Sequence, residues 1–196
     1  VFVTGNTVVD AIRQNLGIAM KGVGALNRLG LKEIGYFLAT VHRPENVDDE
    51  KRFRGILRGL ELVSAKFGLL VVYPIHPRAK KQIEVFGLKA EGVRFVEPLD
   101  YLGFLELESK AKLVLTDSGG VQEEACVLKV PCVTLRYNTE RPETLEVGAN
   151  VLAGTDPHEI ADKVKLMLNR HNDWVNPFGD GKAGERIVSL LSKGTG

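Results

Sequence analysis

The chain has 196 residues, of which 44% are hydrophobic and 26% are charged, as is typical of a globular domain. Its formal net charge of +1 predicts neither a nucleic-acid-binding surface nor a membrane-binding one. There is no apolar run of the roughly 18 residues that a membrane-spanning helix needs, and no secretory signal. The two cysteines, Cys126 and Cys132, fall in a predicted helix and a predicted strand, where we expect buried thiols and no disulfide.

The hydrophobic pattern predicts strands that alternate with helices. Val1 to Val3 are typical of a strand already under way, which suggests an excised piece of a longer protein. Six further strands are predicted at 35–41, 69–75, 93–96, 112–116, 131–135 and 150–153. Helices are predicted from 7 into the twenties and at 48–67, 77–86, 101–110, 119–129, 156–169 and 183–191. Continuous apolar strands separated by helices indicate an α/β fold, a parallel sheet with helices on both faces.

Chemically useful side chains follow the ends of four predicted strands. These are His42-Arg43, His76, Asp117-Ser118 and Arg136. In an open parallel sheet, ligands bind beyond the carboxyl ends of the strands. We therefore expect all four groups along one edge of the sheet.

The string TDSGGVQEE at 116–124 predicts a phosphate site. Ser118, Gly119 and Gly120 leave the first N–H groups of a helix uncovered, and such a helix start favours an anion. Glu124 lies one turn on, where its carboxylate could accept two hydrogen bonds from a ribose diol. The alternatives are an ordinary tight turn and acidic residues that stabilise the helix dipole.

The two strand-end histidines are candidates for phosphate binding or proton transfer. Pro44 keeps Arg43 out of helical geometry and so fixes the loop after His42, which also carries Glu45. For both His42 and His76 the alternative is a structural loop histidine. The four histidines have no metal-ligand spacing, and no metal site is predicted; His158 and His171 are expected at the surface.

Two further side chains have open interpretations. Arg141 could bind a phosphate or orient a sugar, or it could pair with Glu140 or Glu143 at the surface. Phe104 has helical spacing with Tyr101, which favours core packing or an aromatic wall for a base.

In combination, the strings VTGNTVVDA, LATVHRPENVDD, TDSGGVQEE and TERPETLEVGANVLAG resemble the C-terminal half of the non-hydrolysing UDP-N-acetylglucosamine 2-epimerases. The resemblance runs from the first residues to beyond Ala153 and includes the histidine–proline strand end. It implies a Rossmann-like C-terminal domain of a GT-B-type two-domain fold. Residues 1–180 would form that domain, with 1–5 from the interdomain crossing, and 181–196 a helix that crosses back to an absent N-terminal domain.

The family interconverts UDP-GlcNAc and UDP-ManNAc by anti elimination of UDP and its re-addition, with neither nicotinamide nor metal, so no cofactor is expected. The resemblance implies that His42 is catalytic near the diphosphate and that Glu124 holds the ribose. Phe104 would lie beside the uracil, and Leu99 stands where some members have a glutamine, so any base contact there uses backbone. The implied substrate-binding set is Arg43, Glu45, His76, Leu99, Phe104, Ser118, Gly119, Gly120, Glu124 and Arg141.

The resemblance also implies a cytoplasmic isomerase that serves cell-surface polysaccharide synthesis and is a homodimer at full length. The partners would be UDP, UDP-GlcNAc, UDP-ManNAc and the N-terminal half, which carries the acid/base carboxylates. The chain alone should bind UDP weakly and fail to epimerise. The alternatives are the donor domain of a GT-B glycosyltransferase and a non-catalytic, nucleotide-binding regulatory domain.

Overall fold

A computed structural model describes residues 1–22 and 24–193; residues 194–196 of the predicted C-terminal segment lie outside the described residues. Six parallel strands form one sheet in the order β3-β2-β1-β4-β5-β6. The strands are β1 (Tyr36–Thr40), β2 (Leu70–Pro74), β3 (Val93–Val96), β4 (Leu113–Thr116), β5 (Cys132–Thr134) and β6 (Asn150–Leu152). All six correspond to predicted strands, and the α/β prediction is confirmed.

Helices connect and cover these strands. They are α1 (Thr7–Gly22), α2 (Ala25–Arg28), α3 (Pro44–Val47), α4 (Glu50–Phe67), α5 (Pro77–Val85), α6 (Tyr101–Lys110), α7 (Gly119–Leu128), α8 (Pro142–Glu146), α9 (Pro157–Leu168) and α10 (Ala183–Lys193). None of the described helices is long and apolar enough to cross a membrane. Cys126 and Cys132 are both buried and free, as expected.

The sheet is buried on both faces because successive strand residues point to opposite sides. Phe37 packs into the core beneath α4 and α9, whereas its neighbour Leu38 packs into the core beneath α2, α6 and α7. This alternation explains why the strands are continuous apolar runs in the sequence. Because the helices cover the two faces of the sheet, the carboxyl ends of the strands remain as an open edge.

Two features differ from the sequence prediction. Val1 to Val3 do not form a strand, and their side chains are exposed. Three short helices were not predicted, of which α3 and α8 occupy segments expected to be loops. Each of these two begins with a proline, Pro44 or Pro142, at its first position. Proline favours a helix start because its fixed φ is already helical, so this signal was present in the sequence.

Candidate functional site

The register of the strands brings the predicted strand ends together. Thr40, Thr116 and Thr134 are consecutive partners across β1, β4 and β5. The segments that follow them therefore lie side by side, and β2 adds the segment of His76 beside β1. The expected alignment of the four strand ends along one edge is confirmed.

Asp117 organises the loop that carries His42. Its carboxylate is completely buried and accepts hydrogen bonds from the backbone N–H groups of His42, at 3.1 Å, and Arg43, at 2.9 Å. The side-chain amide of Asn46 donates a third at 3.1 Å. The sequence marked Asp117 only as a strand end, because its partners are about 70 residues away.

The same carboxylate orients the His42 ring. Asp117 Oδ1 lies 3.1 Å from Nδ1 of His42, which leaves Nε2 as the nitrogen available to a ligand. His76 is close by, with 5.9 Å between the two ring centroids. Its Nδ1 accepts a hydrogen bond from the backbone N–H of Arg78 at 3.2 Å, so His76 caps α5. Part of the role of His76 is thus structural.

A cleft of about 250 Å³ opens beside the two histidines. Phe104 and Leu99 form part of its wall, and both side chains are partly buried. The remaining lining residues are Thr40, Val41, Pro74 and Pro98. The cleft is mainly apolar apart from the imidazoles, which suits a planar, partly polar group such as a base.

The predicted phosphate cradle is the start of α7. Ser118 is the N-cap, and its Oγ accepts a long hydrogen bond, 3.5 Å, from the N–H of Val121. Gly120 is exposed. A Cβ added at Gly119 would lie 3.6 Å from Oε2 of Glu140 and 3.9 Å from Cγ of Arg141. The absent glycine side chains therefore leave an open helix start beside an arginine, as an anion site requires.

An ion-pair network borders this cradle. Arg136 is only 6% exposed, and its guanidinium contacts Glu45 Oε1 and Glu140 Oε2, each at 2.8 Å. Glu140 also pairs with Arg43 at 3.4 Å. The hydrogen bond from Arg136 is the main cause that lowers the pKa of Glu140 to about 2. Arg43 and Glu45, both predicted to bind substrate, are thus paired within the protein.

The Nε atom of Arg141 pairs with neither Glu140 nor Glu143, the two surface partners that the sequence suggested. That atom lies 2.6 Å from Oε1 of Glu123, a buried residue one turn into α7. The side-chain amide of Asn6 donates to the same oxygen at 2.8 Å. Burial raises the pKa of Glu123, and the contacts with Arg141 and Asn6 oppose that rise. The pair fixes Arg141 beside the helix start.

Glu124, the residue after Glu123, lies about one turn from the start of α7 and hydrogen-bonds with Tyr101 of α6. Burial raises the pKa of Glu124 to about 7; the hydrogen bond with Tyr101 opposes the rise and the charge of Glu123 adds to it. Burial, followed by the charge of Glu124, raises the pKa of Tyr101 to about 12. Tyr101 and Phe104 are one turn apart on α6, so the carboxylate and the aromatic cleft border the same helix.

The chain is similar to known proteins over nearly its whole length. A family model described as UDP-N-acetylglucosamine 2-epimerase matches residues 1–192. The UDP-N-acetylglucosamine 2-epimerase of Methanocaldococcus jannaschii is 49% identical over 201 residues, covering 99% of this chain and 55% of the relative. A Pseudomonas aeruginosa protein named UDP-2,3-diacetamido-2,3-dideoxy-D-glucuronate 2-epimerase is 40% identical to this chain. That match covers 86% of this chain and 48% of the length of the relative.

A solved structure agrees with these sequence matches. The crystal structure of the Methanocaldococcus jannaschii UDP-GlcNAc 2-epimerase in complex with UDP-GlcNAc and UDP superposes with a TM-score of 0.91 at 49% identity. The superposition covers 98% of this chain and 54% of that one. The chain spans about half the length of the curated relatives it matches. The predicted Rossmann-like domain of GT-B type is confirmed.

Proposed function

The chain belongs to the UDP-N-acetylglucosamine 2-epimerase family, and from this membership we propose that it is the UDP-binding domain of an enzyme that interconverts UDP-GlcNAc and UDP-ManNAc. The observation that carries the proposal is the open start of α7. Arg141 lies beside Gly119 there, and Glu124 follows one turn later. An anion site and a carboxylate at this separation on one helix suit the diphosphate and the ribose of one nucleotide.

Each side chain has a distinct part in this proposal. The backbone N–H groups of Gly119 and Gly120 hold the diphosphate together with the Ser118 hydroxyl, since the N–H of Ser118 donates to Thr116 Oγ1 at 3.0 Å. Arg141 adds a fixed positive charge. The Nε2 atom of His42 faces the leaving group once Asp117 has engaged Nδ1. Breaking the bond between the sugar and UDP builds negative charge on the diphosphate, and preorganised donors stabilise that charge most where it develops.

The aromatic cleft supplies the nucleoside end. Phe104 packs against the uracil, Leu99 borders it through backbone, and Glu124 accepts the ribose hydroxyls. Arg43, Glu45 and His76 belong to the same substrate-binding edge. Arg43 and Glu45 shape it through their contacts with Glu140 and Arg136. No nicotinamide enters this scheme, because elimination and re-addition of UDP transfer no hydride.

The proposed domain division is supported by contacts between the two chain segments that would cross to a second domain. The backbone N–H of Asn6 donates to the carbonyl of Phe178 at 2.8 Å, and Arg186 donates to the carbonyl of Thr4 at 3.2 Å. We assign 1–180 to the nucleotide domain, with 1–5 in the crossing. The segment 181–196 includes α10, whose exposed Val188 and Leu191 would contact the N-terminal domain.

The remaining parts of the proposal concern the whole protein. We propose a cytoplasmic homodimer that supplies precursors for cell-surface polysaccharides, with the acid/base carboxylates on the N-terminal half. The chain alone then binds UDP and does not epimerise UDP-GlcNAc.

Calorimetric titration of the chain with UDP tests nucleotide binding. Gly119→Ala and Gly120→Ala should each weaken UDP binding at least about tenfold, because the added Cβ enters the space of the phosphate. A tenfold loss corresponds to about one charge-assisted hydrogen bond. Gly17→Ala is the matched control: it is also a helical glycine, and its Cβ would meet nothing within 4 Å. Equal UDP affinity of all three variants and the wild type would contradict the cradle.

The same titration separates the alternatives. A regulatory domain that merely retains the fold would show no binding at millimolar UDP. A nucleotide-binding regulatory domain would bind UDP but form no UDP-ManNAc when joined to its N-terminal half. A glycosyltransferase donor domain would bind UDP, but when joined to its N-terminal half it would transfer sugar to an acceptor without inverting C2. Formation of UDP-ManNAc by the joined halves supports the epimerase.

A further inference from the structure

Four uncharged polar side chains lie buried together near the start of α7. They belong to four different elements and are each at most 1% exposed: Gln122 of α7, Thr134 of β5, Thr144 of α8 and Asn150 of β6. With Thr139, which lies in the loop after β5, they form what we call the amide–threonine network. Apolar side chains could fill this space without polar groups that need partners, so a buried polar network here needs an explanation beyond packing.

Thr139 connects the network to the backbone N–H of Arg141. Its Oγ1 accepts a hydrogen bond from that N–H at 3.0 Å. A hydroxyl has a single proton, and Thr139 donates it to Oε1 of Gln122 at 2.5 Å. The N–H of Arg141 is therefore tied to α7, the helix whose start forms the proposed phosphate cradle.

Thr144 holds the carbonyl group of the same arginine. Its Oγ1 donates to the carbonyl oxygen of Arg141 at 2.7 Å and accepts the side-chain amide of Asn150 at 3.1 Å. That amide also donates to Oε1 of Gln122 at 3.2 Å. The oxygen of the Asn150 amide accepts the hydroxyl of Thr134, at the end of β5, at 2.9 Å. One network thus holds both backbone polar groups of Arg141 and joins them to α7 and the sheet.

The amide of Gln122 shows what the network requires at its centre. Its Oε1 accepts from Thr139 and from Asn150, whereas its Nε2 has no hydrogen-bond partner within the described residues. Turning the amide over would place Nε2 against two donors and break two hydrogen bonds, which costs more than one unpaired N–H group. The residue is therefore kept as an acceptor for the two groups that hold Arg141.

We infer that the amide–threonine network positions Arg141 for the diphosphate, with Gln122 and Asn150 as its central residues. The inference deepens the proposed function and rests on it, since it takes Arg141 as a ligand of the phosphates. Both central residues are sealed from solvent, so they act on the nucleotide only through Arg141 and are positioning residues.

The location of Arg141 explains why such support is useful. Tyr137, Asn138 and Glu140, which precede it, are all exposed. The ion pair between Arg136 and Glu140 holds the side chain before Arg141, whereas the network holds the backbone of Arg141 itself. A charged group on a loose loop must be ordered when the ligand binds, and that ordering lowers affinity. A buried network removes this cost in advance.

The positioning can be tested without nucleotide. Nitrogen-15 relaxation of the backbone amides in the 196-residue chain should show the amide of Arg141 to be as rigid as those of α7. Thr139→Val removes the hydroxyl with little change of shape and should make that amide clearly more mobile, whereas Thr139→Ser should keep it rigid. Thr155→Val is the matched control, because Thr155 is also buried and its hydroxyl pairs with that of Tyr137 at 3.1 Å. An Arg141 amide that stays rigid in Thr139→Val would overturn the inference.

Calorimetry with UDP tests the consequence for binding. Thr139→Val and Gln122→Met should each weaken UDP binding about three- to tenfold, as the loss of about one hydrogen bond would. Thr139→Ser and Thr155→Val should bind like the wild type. If Gln122→Met does not fold, the valine and serine variants of Thr139 decide the question, because Thr139 is only partly buried.

A double-mutant cycle separates positioning from a general loss of structure. In an Arg141→Ala background, Thr139→Val should have no further effect on UDP affinity, because the group that it positions is gone. A purely structural role would instead weaken UDP binding by the same factor in both backgrounds, and that result would contradict the inference.

The outcomes also distinguish the inference from the proposed function. If the wild type binds UDP and Thr139→Val binds it equally well, the positioning role is wrong and the nucleotide site stands. If the wild type binds no UDP, the proposed function fails, and the relaxation measurement still decides whether the network fixes the backbone of Arg141.

Discussion

Asp117, at the end of β4, holds the ring of His42, at the end of β1, with 3.1 Å between Oδ1 and Nδ1. The same buried carboxylate accepts the backbone N–H groups of His42 and Arg43. The position of the proposed catalytic histidine is thus set by the neighbouring strand. A group fixed in this way needs little reorganisation when charge develops on a leaving group.

Asp117→Asn tests this relationship. The amide replaces one acceptor oxygen with a donor that would face the N–H groups of the loop. We expect the free energy of unfolding to fall by about 2 kcal/mol or more. UDP-GlcNAc affinity should fall as well, because the loop loses its geometry. Urea denaturation and calorimetry measure the two effects.

Asp49→Asn is the matched control for that substitution. Asp49 is exposed and caps α4 by accepting the N–H of Arg52 at 3.0 Å. Asparagine caps a helix about as well as aspartate, so stability should change by less than about 0.5 kcal/mol. Equal effects of the two substitutions would show that Asp117 has no special part in the loop.

The sequence predicted the common edge of the strand ends better than it predicted the contacts there. The positions of His42 and Ser118 followed from a strand end and a helix start, which are local patterns, and Arg141 was placed in the loop after the fifth predicted strand. The partners of these residues did not follow from local patterns, because Asp117 and Arg136 reach theirs across the sheet. Arg141 illustrates the limit: local reasoning offered Glu140 and Glu143, whereas folding brings it to Glu123.

Arg141→Ala should separate binding from stability. It removes a positive charge beside the helix start, and UDP affinity should fall about tenfold or more, as expected for a charged hydrogen bond. It also leaves buried Glu123 with only Asn6, so the free energy of unfolding should fall by about 1 to 3 kcal/mol. Lysine at 141 should recover only part of the affinity, because it lacks the planar fork of arginine.

The double variant Glu123→Gln/Arg141→Ala distinguishes a direct effect of Arg141 on UDP binding from an effect through stability. Glutamine removes the unpaired buried charge, so much of the lost stability should return while UDP affinity stays low. Affinity that returned together with stability would mean that Arg141 acts only through folding.

Gly55→Ala tests the packing of α4 against the segment before α9. A Cβ at Gly55 would lie 2.4 Å from the carbonyl oxygen of Thr155, a backbone atom that cannot move away alone. The alanine should lower the free energy of unfolding by about 1 to 3 kcal/mol, despite its better helix propensity. Gly17→Ala, with open space around it, should be neutral or stabilising; chemical denaturation of both variants measures the difference. No sequence pattern distinguishes these two helical glycines.

The buried Glu108 predicts an unusual dependence of stability on pH. Burial and the charge of Glu124 raise the pKa of Glu108 well above its ordinary value. A carboxyl with a raised folded-state pKa contributes its full stability below its unfolded-state pKa, and loses it as the pH rises towards the folded-state value. Above about pH 4.5 the unfolded chain releases this proton and the folded chain keeps it, so the wild type loses up to about 1.4 kcal/mol per pH unit from this group.

Glu108→Gln removes that loss, because glutamine is neutral in both states. Its free energy of unfolding relative to the wild type should therefore increase steadily between pH 5 and pH 7 in urea titrations. Glu50→Gln, at an exposed position on α4 paired with Arg54, serves as the surface control and should change little over this range. A difference between Glu108→Gln and the wild type that stays constant with pH would mean that Glu108 ionises in the folded protein. In that case a buried partner would have to reach it.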